Sequence, residues 1–319
     1  MNDRKPRLIL IAGPTASGKS TLAAALAEKV HGTVINADAM QVYRDMPILT
    51  AQPGALLMQR APHLLYACVD PTEAFSAGKW LALARNYIET CWRDARVPVL
   101  VGGTGMYFQS LLKGLAAIPA IPPAIRQGLQ EEFAHDGETT FRARLAEVDP
   151  AAAASIQPGD RQRLLRAMEI FGATGKTQST WQREMPEGLL QQADISPILI
   201  MPPRATLYAA CDQRFLLMLK DGALEEARGV RAHTLDPTLP AFKVIGLRAF
   251  SDHLAGKITM EEVITMAQQA TRNYAKRQVT WFKNQWIANK IGFARAPYVI
   301  NDFGSENCLA QVLLHCTAK

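Results

Sequence analysis

Short apolar runs alternate with longer helix-like stretches through the first 120 residues of the chain. The apolar runs are RLILIAG, GTVINAD, LLYACVD and VPVLVGG, and each ends in a small or acidic residue that opens a loop. This alternation is typical of a parallel α/β sheet, in which the loops at the carboxyl ends of the strands form the binding site. We therefore predict four parallel strands here, with a site where they end.

The pattern changes after the proline-rich junction AAIPAIPPAI. From Arg126 to about Gln192 the sequence is polar and helical, and the next strand-like run is ISPILIMPP near Ile198. The remainder of the chain is mostly helical and contains no visible internal repeat. We predict a core formed by residues 1–120 and 195–319, interrupted by a helical insertion domain at residues 121–194.

Composition limits the class of protein. The 319 residues are 48% hydrophobic and 20% charged, which is enough to bury a sizeable core. The first apolar run is too short for a signal peptide, and no stretch approaches the length of a membrane span. The five cysteines show no C-x-x-C spacing, so neither a disulfide framework nor a zinc site is indicated. We expect a cytoplasmic protein with no membrane contact, and a monomer.

Positive charge is concentrated in one part of the chain. The net charge is +6, and residues 243–295 contain nine Lys or Arg against three acids, an excess of six. Such a segment favours a polyanionic partner, with nucleic acid as the leading candidate. A solvated helix face is the alternative explanation.

The most specific motif is GPTASGKS, between the first strand and a helix-like segment. It consists of Gly13, Pro14, Thr15, Ala16, Ser17, Gly18, Lys19 and Ser20. Its glycines let backbone N–H groups turn toward an anion, Lys19 adds charge, and the following helix directs its positive dipole end at the same place. Ser20 can offer a hydroxyl to Mg²⁺. The motif predicts a phosphate site but leaves its ligand open.

Two further strand ends carry polar residues. Asp38, in NADAMQVYR, follows the second strand, where its carboxylate can project toward the phosphate loop or cap a turn. Thr104, in VGGTGMYF, lies between glycines, where it can face the site or belong to an ordinary glycine-rich turn.

Two predicted helices carry basic residues. Gln162, Arg163 and Arg166 share one side of the first, although solvated arginines are the default interpretation. The second, TRNYAKRQVTWFKNQW, interleaves aromatic and basic side chains. That mixture fits RNA, whose phosphates need cations and whose unstacked bases need flat partners, but aromatics at helical spacing are more often core.

An acid of the kind that ATP-hydrolysing P-loop proteins use to hold Mg²⁺ is hard to find. VPVLV ends in Gly-Gly, and Asp70 after LLYACV is a weak candidate because Pro71 follows at once. The phosphate loop can therefore serve a diphosphate leaving group.

Together these segments resemble the tRNA dimethylallyltransferase family. The resemblance covers nearly the whole chain, because the following occur in the family's order: GPTASGKS, NADAMQVYR, TAQP, PHLLYACVDPTEAFSA, VGGTGMY, RQRLLRAMEIFGATGK, AFKVIGLR and RNYAKRQVTWF. It implies an α/β fold with a P-loop NTPase-like parallel sheet core and a helical insertion domain. The chain is similar to the bacterial type, because it lacks the C-terminal zinc finger of some eukaryotic members.

The resemblance also implies a reaction. Dimethylallyl diphosphate would donate its prenyl group to the exocyclic amine of the adenine 3′ of a tRNA anticodon, with the diphosphate on Gly13 to Ser20. Asp38 would be the general base, with Lys19 and Thr104 as further catalytic residues and Mg²⁺ on Ser20. The residues implied to contact the tRNA anticodon loop are Asp38, Ala39, Met40, Gln41, Thr104, Arg126, Gln162, Arg163, Leu164, Leu165, Arg166, Lys243, Val244, Ile245, Gly246, Leu247 and Arg248.

Two positions depart from the family pattern, and two other functions stay open. The family usually has Ser at Ala39 and Tyr at Leu247, and either change can weaken a contact to RNA. A kinase or isopentenyltransferase acting on free adenine nucleotides is disfavoured by the basic C-terminal third. A non-catalytic RNA-binding protein is disfavoured by Asp38.

Overall fold

The computed structural model describes residues 5–232, 238–302 and 308–317. Within them, six strands form one sheet in the order β3-β2-β4-β1-β5-β6, and every neighbouring pair is parallel. The strands are β1 Arg7–Ala12, β2 Gly32–Asn36, β3 His63–Leu64, β4 Val97–Gly102, β5 Asp194–Ile200 and β6 Tyr298–Ile300. The predicted parallel α/β sheet is confirmed.

Helices connect and cover the strands. They are α1 Lys19–Lys29, α2 Ala55–Met58, α3 Ala77–Arg93, α4 Gly105–Lys113, α5 Pro123–Val148, α6 Pro150–Ser155, α7 Arg161–Thr174, α8 Gln178–Arg183, α9 Arg204–Lys220, α10 Ala223–Ala232, α11 Leu247–Leu254, α12 Met260–Phe282 and α13 Cys308–Thr317. A 3₁₀ turn spans Pro240–Lys243, and a π-helical turn at Lys283–Ile287 extends α12. No helix among the described residues combines the length and apolar character needed to cross a bilayer.

The chain divides into two compact units. One comprises Met1–Lys113 and Leu189–Lys319 and contains the sheet, and the other comprises Gly114–Gly188 and contains α5 to α8. The first unit resumes at Leu189, whose N–H donates to the carbonyl of Leu111 at 2.9 Å. This second unit begins seven residues before, and ends six residues before, the corresponding limits of the predicted insertion at 121–194. Inside the second unit, α5 is broken at Gly137, which has a φ of 74°.

The run LLYACVD does not form the predicted strand. Only His63–Leu64 pairs with β2, and Val69 makes an isolated bridge to Tyr43. Leu65 and Ala67 have positive φ values of 64° and 47°, which a strand does not allow. The run is apolar because its side chains fill the cores under a winding loop. β6 was missed because three residues are too few for a periodic signal.

Both faces of the central strand are covered. Leu8, Leu10 and Ala12 of β1 enter one hydrophobic cluster, while Ile9 and Ile11 enter the cluster on the opposite face. The alternation follows from the two-residue period of a strand, and burial of both faces explains why β1 reads as a continuous apolar run. β1 therefore holds the loop that follows it on a rigid base.

Candidate active site

The phosphate loop occupies residues 13–18, between β1 and α1. A Cβ at Gly13 would lie 2.7 Å from the carbonyl oxygen of Ile200, so this position has room for glycine alone. Ala16 and Gly18 have positive φ values of 61° and 83°, which curl the backbone around a concave cradle. The Ser17 hydroxyl is buried there without a hydrogen-bond partner among the described residues. An oxyanion in the cradle would supply one.

Two cations lie at this loop. Lys19 exposes 8% of its surface, and its ammonium donates to the Pro14 carbonyl at 3.2 Å. Burial lowers the pKa of Lys19 to about 8, and nearby Asp38 partly opposes that shift. Arg214, from α9, donates to the Thr15 hydroxyl at 2.6 Å. Burial also lowers the pKa of Arg214. The paired cations suit a ligand with more than one negative charge.

Asp38 follows β2 and contributes to the structure of its own loop. Its Oδ1 accepts from the Met40 N–H at 3.0 Å, so the turn-capping alternative is part of its role. The amide of buried Asn36 donates to the Asp38 carbonyl at 3.0 Å and fixes the loop below it. The Asp38 charge offsets part of the lowering that burial causes in the pKa values of Lys19 and Arg214.

Three tyrosines lie within the field of Asp38. The pKa values of Tyr66, Tyr107 and Tyr274 are raised, first by burial and then by the Asp38 charge. Their phenols therefore stay neutral well beyond physiological pH and remain available as hydrogen-bond donors. Tyr107 stacks on Trp80 with ring centroids 4.2 Å apart. The sequence motifs did not identify these aromatic side chains as neighbours of the acid.

Thr104 fastens the β4 loop to the Asp38 loop. Its hydroxyl accepts from the Ala39 N–H at 2.9 Å, and its own N–H donates to Ala37 at 3.2 Å. A Cβ at Gly102 would lie 2.0 Å from the Ala37 carbonyl oxygen, so the glycine permits this close approach. The glycine-rich turn thus brings Thr104 against the loop that carries Asp38.

Helix α12 ties the loops together. Gln278 accepts from the Thr15 N–H at 2.8 Å and donates to the Gly103 carbonyl at 2.9 Å. Trp281 packs against Gly105, where a Cβ would lie 2.3 Å from its ring. The glutamine and aromatic face of TRNYAKRQVTWFKNQW is thus structural, whereas Lys276 and Arg277 are exposed.

Asp70 is not part of this site. Its carboxylate pairs with Arg44 and accepts from the N–H and hydroxyl of Thr72. These hydrogen bonds, first those from Thr72, hold the pKa of Asp70 at about 2. Asp70 therefore stabilises a surface turn, and its candidacy as a metal ligand of the phosphate site is corrected. Among the described residues, no group of three or more His, Cys, Asp or Glu side chains is arranged to bind a metal.

Some residues implied to contact RNA have buried side chains. Val244 and Leu247 belong to the main core, and Leu164 and Leu165 to the core of the Gly114–Gly188 unit. These four side chains cannot reach an RNA, so any contact would come from their backbone. Gln41 is 8% exposed, and its side-chain amide donates to the carbonyls of Thr50 and Ala51. The side chains of Lys243 and Arg248 are exposed, and Ile245 and Gly246 between them are half-buried. Ala39 and Met40, in the Asp38 loop, are also half-buried.

Within the Gly114–Gly188 unit, two predicted arginines pair with an acid that the sequence did not single out. Glu169 is 6% exposed, and its carboxylate lies 3.3 Å from Arg126 and 3.3 Å from Arg166. Gln162 and Arg163 are exposed on the same helix, and Arg163 lies 3.3 Å from Asp160. The arginines are therefore oriented by acids rather than simply solvated.

Comparison with known proteins identifies the family. The model described as IPP transferase matches residues 41–285, and a model described as isopentenyl transferase matches residues 6–60. The chain belongs to the IPP transferase family. The tRNA dimethylallyltransferase of Phenylobacterium zucineum is 50% identical over 88% of this chain and 91% of its own. The tRNA dimethylallyltransferase of Parvibaculum lavamentivorans is 49% identical over 92% of this chain and 93% of its own.

Solved structures agree with this assignment to the family. A eukaryotic dimethylallyltransferase described as acting on tRNA superposes with a TM-score of 0.80, at 28% identity over 97% of this chain and 78% of that chain. The tRNA isopentenylpyrophosphate transferase of Staphylococcus epidermidis superposes with a TM-score of 0.67, at 32% identity over 97% of this chain and 98% of that chain. The predicted family and fold class are confirmed.

Proposed function

We propose that this chain transfers the dimethylallyl group of dimethylallyl diphosphate to the exocyclic amine of the adenine 3′ of the anticodon in tRNA, releasing diphosphate. One observation carries the proposal: hydrogen bonds through Gln278 and Thr104 join the phosphate loop to the loop that carries Asp38. An anion site and a base thus lie at the same edge of the sheet, as a transfer with a diphosphate leaving group requires.

The phosphate loop would bind the donor and stabilise its departure. Negative charge grows on the diphosphate as its bond to the prenyl carbon breaks. The loop amides, Lys19 and Arg214 would bind that charge more strongly in the transition state than in the ground state, which accelerates the step. The Ser17 hydroxyl and Thr15, held by Arg214, would complete the cradle.

Asp38 would act on the acceptor. An adenine amine is a weak nucleophile because its lone pair is delocalised into the ring, so removing its proton as the new bond forms lowers the barrier. The Met40 N–H donates to one carboxylate oxygen and orients the group, while Thr104 fixes the same loop through the Ala39 N–H. The neutral tyrosines and Trp80 would exclude water from the reacting atoms.

The residues present fit a magnesium ion at Ser20. Mg²⁺ is commonly held by one or two protein oxygens together with substrate phosphates and water, and the half-buried Ser20 at the start of α1 can provide one. When bound, the ion would neutralise charge on the diphosphate.

The tRNA would contact the exposed and half-buried polar residues described above. We assign to it Lys243 and Arg248 in one unit, and Arg126, Gln162, Arg163 and Arg166 in the other. A nucleobase in the anticodon loop must leave its stack to reach Asp38, which makes this a base-flipping reaction. We further propose that the enzyme is a cytoplasmic monomer.

The test is transfer itself. The chain is incubated with radiolabelled dimethylallyl diphosphate, Mg²⁺ and unmodified tRNA, and the digested nucleosides are analysed. We expect label on the adenosine 3′ of the anticodon, and none on AMP or ATP offered as acceptors. Label on free nucleotides would favour the small-substrate alternative, and tRNA binding without label would favour a non-catalytic protein.

A further inference from the structure

A single helical turn follows the Asp38 loop, and side chains from outside cap both of its ends. The turn spans residues 46–51, where the Thr50 N–H donates to Met46 at 3.1 Å and the Ala51 N–H donates to Ile48 at 3.0 Å. So short a turn leaves most of its N–H and C=O groups without partners of its own. Its placement therefore depends on the groups that satisfy its ends.

Glu226 of α10 caps the amino end. One carboxylate oxygen accepts from the Ile48 N–H at 2.9 Å, and the other accepts from the Leu49 N–H at 2.7 Å. Glu226 is separated from them by 178 and 177 residues in the sequence. A carboxylate is well suited to this place because it offers two acceptor oxygens and no donor.

Gln41 caps the carboxyl end of the turn and connects it to the loop that carries Asp38. Its amide donates to the carbonyls of Thr50 at 3.1 Å and Ala51 at 2.7 Å. Gln41 directly follows Met40, whose N–H donates to the Asp38 carboxylate. The position of the 46–51 turn therefore fixes the far end of the loop that carries Asp38.

The helix that carries Glu226 also supports a segment assigned to RNA. Ala223 and Ala227 of α10 lie in the same hydrophobic cluster as Val244 and Leu247. α10 packs against α11, whose first residues belong to the Lys243–Arg248 segment, and the same helix bonds the 46–51 turn through Glu226. Burial raises the pKa of the Glu226 carboxyl, while the hydrogen bonds from the Leu49 and Ile48 N–H groups favour its charged form.

We propose that Glu226 is a positioning residue for the acceptor: it holds the 46–51 turn, and through Gln41 the Asp38 loop, in register with the Lys243–Arg248 segment. The inference rests on the proposed function. It predicts that loss of the carboxylate impairs use of tRNA while leaving the phosphate loop, which Glu226 does not contact, able to bind the donor.

The test compares Glu226→Gln with Glu225→Gln, a neighbouring exposed acid on the same helix. A glutamine keeps one acceptor oxygen but turns an NH₂ group toward the second backbone N–H, so one cap is lost. For Glu226→Gln we expect kcat/KM for tRNA to fall about tenfold, the scale of a lost charge-assisted hydrogen bond. KM for dimethylallyl diphosphate should stay within about twofold, and Glu225→Gln should match the wild type in both.

Two further measurements separate positioning from general stability. Hydrogen exchange of the Ile48 and Leu49 amides should accelerate in Glu226→Gln, while β1 amides keep their protection. Glu226→Met, which keeps the length of the side chain without a charge, should show the same defect with tRNA. Equal effects on both substrates, a tRNA defect in Glu225→Gln, or normal kinetics with only a lowered unfolding midpoint would each overturn the proposal. An inactive wild type would instead refute the proposed function.

Discussion

At the scale of single residues, Asp38 combines a structural and a chemical role. One carboxylate oxygen accepts a hydrogen bond from the Met40 N–H. The carboxylate charge affects the pKa values of Lys19, Arg214 and Tyr274. An asparagine can retain the structural hydrogen bond through its own oxygen, but it cannot accept a proton from an amine. The two roles can therefore be separated by one substitution.

We predict that Asp38→Asn binds tRNA and donor normally and loses turnover about 10²–10⁴-fold, the usual loss on removing a general base. Single-turnover transfer measures the effect. The control is Asp70→Asn, which removes a surface acid of the same type and should leave the rate unchanged. A single-turnover rate close to that of the wild type would exclude Asp38 as the base.

Lys19 predicts a pH dependence. Its pKa in the fold is lowered to about 8, so the folded state favours the neutral amine. The neutral amine therefore stabilises the folded state at pH values above the pKa of Lys19 in the unfolded chain. This contribution to the free energy of unfolding is lost as the pH falls through the folded pKa of about 8. A bound diphosphate favours the ammonium instead, so donor affinity should be highest below that pH and decrease above it.

We expect the dissociation constant of the donor to rise between pH 8 and pH 9.5 by up to about tenfold per pH unit, the limit for one linked proton. Calorimetric titration measures it. In Lys19→Ala, donor binding should be weaker, and any pH dependence of the dissociation constant that remains comes from titration of the donor itself. An equal slope in both proteins would show that Lys19 does not titrate in this range.

At the scale of elements, helices far apart in sequence complete the strand-end site. α9 supplies Arg214, and α12 supplies Gln278, which joins the phosphate loop to the β4 loop. Both bonds of the buried Gln278 go to backbone groups, so a substitution leaves an N–H and a carbonyl without partners.

We predict that Gln278→Leu lowers the free energy of unfolding by roughly 1–3 kcal/mol for each backbone group left unpaired, and also weakens donor binding. Chemical denaturation and donor titration measure the two effects. Gln269→Leu, at an exposed position of the same helix, should change stability by no more than about 0.5 kcal/mol. Normal donor affinity in Gln278→Leu would mean that the phosphate loop keeps its shape without this tie.

Helix α7 supports a prediction about RNA. If Arg163 and Arg166 contact phosphates, the double change Arg163→Ala with Arg166→Ala should weaken tRNA binding and leave donor affinity intact. Each lost contact should reduce the log–log salt slope by about 0.7. Glu169→Gln, which removes the acid between Arg126 and Arg166, should weaken binding less. Superimposable salt titrations for wild type and double variant would remove α7 from the RNA site.

At the scale of the whole molecule, each unit has its own hydrophobic cluster, and the phosphate loop, Asp38 and Thr104 all lie in the sheet unit. The chain leaves and re-enters that unit at adjacent points, because Leu189 and Leu190 donate to the carbonyls of Leu111 and Leu112. A short linker can therefore replace the Gly114–Gly188 unit.

We predict that a chain in which a glycine-serine linker replaces residues 114–188 still binds dimethylallyl diphosphate, seen as a rise in its thermal unfolding midpoint on adding donor. It should lose most tRNA affinity in a filter-binding assay, since the arginines of α5 and α7 are gone. Retention of both activities would show that the Gly114–Gly188 unit is not an RNA-binding arm.

The sequence by itself determined the strands β1, β2, β4 and β5, the phosphate loop between β1 and α1, and the acid after β2. These features depend on local periodicity, on glycines at positions without room for a side chain, and on the order of motifs along the chain. Tertiary structure decided the rest. Arg214, Gln278 and Glu226 lie on ordinary amphipathic helices, and LLYACVD became a winding loop because its apolar side chains fill cores on both sides. Their partners are distant in sequence, so local patterns contain no signal for contacts that only the packed fold creates.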